Sequence, residues 1–196
     1  MARISKKNSI LEAATYLFSA KGFSNTSMTE VAALAEISGA AIFYHFKTKE
    51  DLFVSVLESV QSGILAEFSK YVAKEDFHNG LDMLLGAVAF HLHLSETKKE
   101  WFVLLDRYST HELAADNSVS RQYLQDIYNC LVDIFEKALI VGQQDGSIRE
   151  LSSKRTALII FAMVDGIRHL ENINLYHAGS LYSDLVALCR NFLENN

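Results

Sequence analysis

There is no proline anywhere in the 196 residues, and glycine occurs only nine times. Sandwiches and barrels turn often and use more of both residues, whereas a chain this poor in breakers can run long helices. The expectation is therefore an all-α chain. Apolar residues make up 49% and charged residues 21%. These are globular proportions, which set aside disordered, collagen-like and coiled-coil classes.

The net charge of −6 is unevenly spread. Residues 1–50 carry six Lys/Arg against four Asp/Glu, and residues 51–196 carry twelve against twenty. A mildly basic head on an acidic body suits a protein that meets phosphates at one end only. The N-terminus MARISKKNSI is polar and lacks the apolar core of a signal peptide. The longest apolar run, Ala157 to Val164, is eight residues, against the ~20 that span a bilayer. A soluble, cytoplasmic chain with no membrane partner is expected. Cys130 and Cys189 read as two reduced, partly buried thiols rather than a disulfide or metal pair.

Residues 5–20 place Ile10, Leu11, Ala14, Leu17 and Phe18 on one helical stripe, stopped by Lys21-Gly22, with Phe23 set to fold back on the last turn. Ser27-Met28-Thr29-Glu30 is a capping box that opens a short helix burying Met28, Val31, Ala32 and Ala35. After a tight turn at Glu36-Ile37, Ser38 can cap a second short helix running to about Tyr44. Thr48 to Asp51 offers another capping box. It opens a long helix with Leu52, Val56, Val60, Ile64, Phe68 and Val72 in register, on the order of 37 Å long if it reaches Ala73. Further helices are expected near 80–94, 98–113, 118–143, 152–174 and 180–193, about nine in all. The head is expected at 1–50 and the body at 51–196.

Two short helices joined by a tight turn and braced by a third form a helix-turn-helix, which presents one helix to a major groove about 12 Å wide. Val31, Ala35, Ile37 and Ile42 would make the small core between them, and Phe43 and Phe46 also read as core. The stretch ILEAATYLFSAKGFSNTSMTEVAALAEISGAAIFYHFKTKEDLF, residues 10–53, resembles the DNA-binding head of the tetracycline-repressor (TetR) family. The GF turn, the TSMTEVA entry, the IS before the recognition helix and the IFYHFKTKEDL exit fall in family order. The resemblance implies a DNA-binding head joined by a long helix to a variable helical body that dimerises and binds a small molecule. It implies that Ser27 and Thr29 touch phosphates and that Ser38, Gly39, Ala40 and Ala41 face the bases. It also implies that Tyr44 and His45 reach phosphate or base, and that Thr48 and Lys49 meet a phosphate at the start of the next helix. Arg3, Lys6 and Lys7 could add a basic arm.

Two departures stand out. Glu36 occupies a turn position where the family very often has glycine, so a left-handed backbone there would cost about 1 kcal/mol unless the turn takes another geometry. Gly39-Ala40-Ala41 offers no bidentate group to guanine or adenine. Specificity would then lean on thymine methyl contact through Ala40 or Ala41, on Tyr44 and His45, and on DNA shape.

In the body, His91 and His93 point to different helix faces and do not suggest a metal, and no cofactor is implied. Trp101, Phe102, Tyr108 and Tyr128 are candidates to line an effector pocket, although an aromatic stripe in a helical body is more often plain core. Asp165, Arg168 and His169 place charge in an apolar helix, where they could orient a ligand, lie at a subunit interface or face solvent. Ala157–Leu170 and Leu181, Leu185, Leu188 and Phe192 carry apolar surface for a homodimer, which a two-fold operator also requires. The reading that follows is a repressor released from a palindromic operator by a small molecule. A helical sensor or scaffold that does not bind DNA, and an all-α enzyme, stand as alternatives. No G-x-x-x-x-G-K, G-x-S-x-G or H-E-x-x-H motif supports the enzyme.

Overall fold

The computed structural model describes residues 6–173 and 177–195; Arg3 of the basic arm lies outside them. Among the described residues there are ten α-helices and no strand. They are α1 (Lys6–Lys21), α2 (Met28–Leu34), α3 (Gly39–His45), α4 (Lys49–Val72), α5 (Gly80–Thr97), α6 (Lys99–Asp106), α7 (Tyr108–Asp116), α8 (Ser118–Asp145), α9 (Ser153–Asn172) and α10 (Tyr182–Leu193). A short 3-10 turn, Ala178–Leu181, leads into α10.

By compactness the chain forms two units. The first runs up to Gly63 and takes in Lys98–Ile127; the second takes Ile64–Thr97 and Tyr128 onward. In the first unit α1 packs on α6 and α2, and α2 packs on α3. Its core is built from Ile10, Phe18, Val31, Ile42, Leu52, Phe53, Val56 and Leu57, all buried. The rings of Phe18, Phe23 and Phe53 meet at centroid distances of 5.3–5.7 Å. Phe23 reaches this cluster because Gly22 takes φ 83 at the end of α1, as the sequence suggested.

The expected helix over 98–113 is instead two helices broken at Arg107, which is extended at φ −67, ψ 133. Its guanidinium Nε and Nη2 donate to the carbonyls of Ser19 and Ala20 at the C-terminal end of α1. The bend therefore serves α1, whose last carbonyls lack partners within their own helix. Thr110 Oγ1 closes the corner by donating to the Leu104 carbonyl at 2.7 Å. Within α4, Gly63 makes room for Trp101, whose Cη2 would stand 2.3 Å from a Cβ at that position.

In the second unit α5 packs against α9 and α10. The first residue of α5, Gly80, donates its amide to Asp145 Oδ2 at 2.7 Å, and Leu81 donates to Ser147 Oγ at 3.1 Å. Two of the four N-terminal donors of α5 are thus satisfied by the end of α8 and the loop after it, and Asp82 and Met83 donate to Asn79. By length and composition α4 could cross a membrane. Its residues Leu52, Phe53, Val56, Leu57, Val60 and Ile64 are instead buried inside the protein.

Glu36 adopts φ 55, the left-handed conformation in question. The turn forms regardless, with the Ile37 amide donating to the Ala32 carbonyl at 3.0 Å. Glu36→Gly is expected to raise stability by about 1 kcal/mol by relieving that conformation. The rise would appear in a urea midpoint shift with an unchanged slope.

Candidate nucleic-acid interface

The supports of the helix-turn-helix are local. Ser27 caps α2 as the sequence indicated: Glu30 N donates to Ser27 Oγ at 3.2 Å, and Ser27 N donates to Glu30 Oε2 at 2.9 Å. Lys21 reaches the same carboxylate at 2.6 Å. The Lys21 bond, then the Ser27 backbone and hydroxyl, hold the Glu30 carboxyl down at about 2. Ser38 Oγ accepts from Ala41 N at 3.2 Å to start α3. Thr48 and Asp51 form the reciprocal pair at the start of α4, at 3.0 and 3.1 Å. The Ser38 and Thr48 hydroxyls accept these amides and keep a proton to donate outward, to a phosphate for example.

Burial fixes the rotation of α3. Ile42 and Phe46 are buried and Ala41 and His45 half-buried, while Gly39, Ala40, Phe43 and Tyr44 face outward. Phe43, expected in the core, is 47% exposed, and Tyr44 is 81% exposed. The reason is phase: in the run Ile42 to Phe46 only residues four apart share the inner stripe, and the aromatics between them turn away. Ser27, Thr29, Ser38 and Thr48 are exposed, as a phosphate contact requires.

Lys49 behaves differently from its expected role. Its Nζ donates to the carbonyls of Phe23 and Thr26, at 2.9 and 3.0 Å, and lies 4.4 Å from the centre of the Phe23 ring. The ammonium clamps the loop between α1 and α2. Lys49→Met is expected to destabilise the protein by about 2 kcal/mol, since two carbonyls lose a charged donor. Thermal unfolding would show the loss. Lys47, not among the residues expected from the sequence, is exposed just after α3 and donates to the Phe43 carbonyl at 3.3 Å. A lone lysine after an aromatic run gave no signal of that placement.

The seven candidate effector residues do not form one group. Trp101, Phe102 and Tyr108 belong to the first unit, and Tyr128, Asp165, Arg168 and His169 to the second. Trp101 packs on Gly63, Phe102 is core, and Tyr108 is 79% exposed. His169 is exposed. Three of the second-unit residues lie in one neighbourhood. Arg168 Nε donates to Asp165 Oδ1 at 2.7 Å, His91 Nε2 lies 3.5 Å from the same oxygen, and Phe161 stacks edge-on to both His91 and Tyr128, at 5.7 and 6.2 Å. Burial pushes the Asp165 carboxyl up, but the nearby His91 imidazole and the bond and charge of Arg168 outweigh it and hold it at about 2. Burial lowers the pKa of His91, which stays neutral. The local sequence pattern around His91 carries no mark of its approach to Asp165 on α9. Among the described residues no His/Cys/Asp/Glu group could hold a metal ion.

Residues 10–56 match the family model described as bacterial regulatory proteins, tetR family. The HTH-type transcriptional regulator AcrR of Shigella flexneri is 28% identical over 169 residues, 83% of this chain and 75% of that protein. The HTH-type transcriptional repressor NicS of Pseudomonas putida is 30% identical over 147 residues, 74% of this chain and 66% of its own length. A putative transcriptional regulator from Saccharomonospora viridis, solved with choline, superposes with a TM-score of 0.82 at 19% identity, covering 97% of this chain and 98% of that one. FadR of Bacillus subtilis, solved with stearoyl-CoA, gives 0.72 at 20% identity, covering 93% and 96%.

Proposed function

From a chain that belongs to the tetR family of bacterial regulatory proteins, we propose a ligand-responsive repressor that binds a two-fold operator as a homodimer. The observation that carries the reading is α3 itself. It is anchored by Ile42 and Phe46 and presents Gly39, Ala40, Phe43 and Tyr44 outward, and Ser27, Ser38 and Thr48 are exposed as well. A helix held this way can enter a major groove while the Ser38 and Thr48 hydroxyls and Lys47 meet the flanking phosphates; Ser27 Oγ, which donates to Glu30 Oε2 at 3.0 Å, would exchange that bond for a phosphate. Thr29, His45, Ala41 and the α4 amide at Lys49 complete the proposed contact set; the Lys49 side chain does not belong to it.

Dimerisation is proposed through α9 and α10. Leu158, Ile159 and Met163 on α9 and Leu188 and Phe192 on α10 are exposed apolar residues, as is Leu181 just before α10. Leu185 is buried within its own unit and is unavailable for the contact. Exposed apolar surface of this extent suits a partner helix pair. The dimer would set two copies of α3 into half-sites about 34–36 Å or a multiple apart.

The Asp165–Arg168–His91 cluster, with Tyr128 and Phe161 beside it, is proposed as the polar end of an effector site. Relatives of this fold solved with choline and with stearoyl-CoA support an effector in the body without naming one here. Site selection from random duplex DNA by the full-length protein, followed by a salt titration on the winner, tests the reading. A two-fold symmetric site whose affinity falls steeply with salt supports it. Enrichment of no sequence, even at low salt, overturns it.

A further inference from the structure

Resting on the DNA-binding reading above, we infer that Phe43 is a base-reading residue and that α3 recognises the 5-methyl groups of pyrimidines rather than their hydrogen-bonding edges. The residues of α3 are Gly39-Ala40-Ala41-Ile42-Phe43-Tyr44-His45. At 100° per residue, Ala40, Phe43 and Tyr44 fall within an arc of about 100° on the side away from Ile42 and Phe46. That outward face carries no amide, carboxylate or guanidinium, so the bidentate pairings that identify guanine or adenine are unavailable to it.

Its chemistry is apolar: a methyl at Ala40, a half-exposed phenyl at Phe43, and a phenol ring at Tyr44 that is exposed almost entirely. Nothing stands within 4 Å of a Cβ built on Gly39, so the surface is open at its N-terminal end. Two adjacent aromatic rings left in water on a small head mark a surface that is covered in use. The major groove offers one apolar feature that varies with sequence, the C5-methyl of thymine, which 5-methylcytosine also carries. Phe43 and Ala40 supply complementary contacts, and the exposed Tyr44 hydroxyl is placed to donate to a phosphate.

The test uses the full-length protein and the duplex obtained by random-site selection, with each thymine replaced in turn by deoxyuracil, which removes only the methyl. Binding is followed at fixed salt for the wild type, Phe43→Ala and Phe43→Leu, with melting curves to confirm that the variants are folded. The wild type is expected to lose about fourfold in affinity at one or more positions in each half-site. Phe43→Ala should bind the thymine duplex more weakly and show nearly equal affinity for thymine and uracil there, while Phe43→Leu keeps part of the discrimination. Exchanging cytosine for 5-methylcytosine in a C·G variant of that position should restore part of the lost affinity to the wild type but none to Phe43→Ala. Wild-type indifference to every uracil, or an undiminished thymine preference in Phe43→Ala, overturns the inference and leaves the regulator reading standing. Selection of no duplex at all overturns both.

Discussion

Gly80→Ala is expected to destabilise the protein by about 3 kcal/mol or more, enough to remove a large share of the stability of an ordinary domain. A Cβ at Gly80 would stand 2.0 Å from Gly142 N and 2.2 Å from Gly142 Cα. Both are backbone atoms, so no side chain can swing away, and α5 and α8 would have to separate. Separation would also pull the Gly80 amide from Asp145 and the Leu81 amide from Ser147, leaving the first two donors of an 18-residue helix without their acceptors. Chemical denaturation of the variant is the direct measurement. Wild-type stability would mean that the two helices do not approach this closely. Gly86→Ala is the useful contrast, because there a Cβ meets the ring of Phe77 at 2.6 Å, a side chain that can shift.

Asp165→Ala is expected to cost about 3 kcal/mol. The substitution takes from the Arg168 guanidinium, itself 3% exposed, the carboxylate to which its Nε donates, and takes from His91 its acidic neighbour. Replacing the pair together, Asp165→Leu with Arg168→Met, should recover much of the loss, since the charge and its counter-charge leave at once. The same cluster sets an acid limit. The folded protein holds Asp165 at about 2 against an ordinary 3.8, so its contribution, about 2 kcal/mol, is present above pH 4 and is lost as pH falls toward 2. His91 is kept neutral below its ordinary 6.5, so the unfolded chain takes up a proton first and stability also declines as pH falls from 6.5. Both effects have the same sign. Melting temperature should therefore fall on acidification from neutral pH, and the slope between 6.5 and 5 should flatten in His91→Phe.

What could be read from the sequence was what is decided within a few residues. The Ser27–Glu30 and Thr48–Asp51 boxes, the left-handed Gly22 and the cap at Ser38 each depend on neighbours three or four positions away, and all are present. What escaped was decided at a distance. Lys49 stands in a stretch to which the family resemblance assigns DNA contact, but its ammonium finds two carbonyls more than twenty residues earlier. The break at Arg107 has no glycine or proline to announce it, because its cause lies in α1. Phe43 was misplaced for a different reason. In a seven-residue helix an unbroken apolar run does not fix its own rotation, and only the burial of Ile42 and Phe46 selects the outward residues. The His91–Asp165–Arg168 grouping joins helices more than seventy residues apart, and neither partner helix shows half of a recognisable pattern.

The contact between Gly63 and Trp101 has an optical consequence. The chain contains a single tryptophan, and its indole rests on the bare backbone of α4 with the Lys98 ammonium 5.2 Å from the ring centre. Indole emission shifts with local polarity and is quenched or released by neighbouring groups, so the native protein carries one tryptophan reporting on one place in α4. A change of α4 at that glycine, whether caused by an effector, an operator or a denaturant, becomes visible as a change of colour or intensity without any label. The eight tyrosines spread through the chain supply an independent baseline at shorter wavelength.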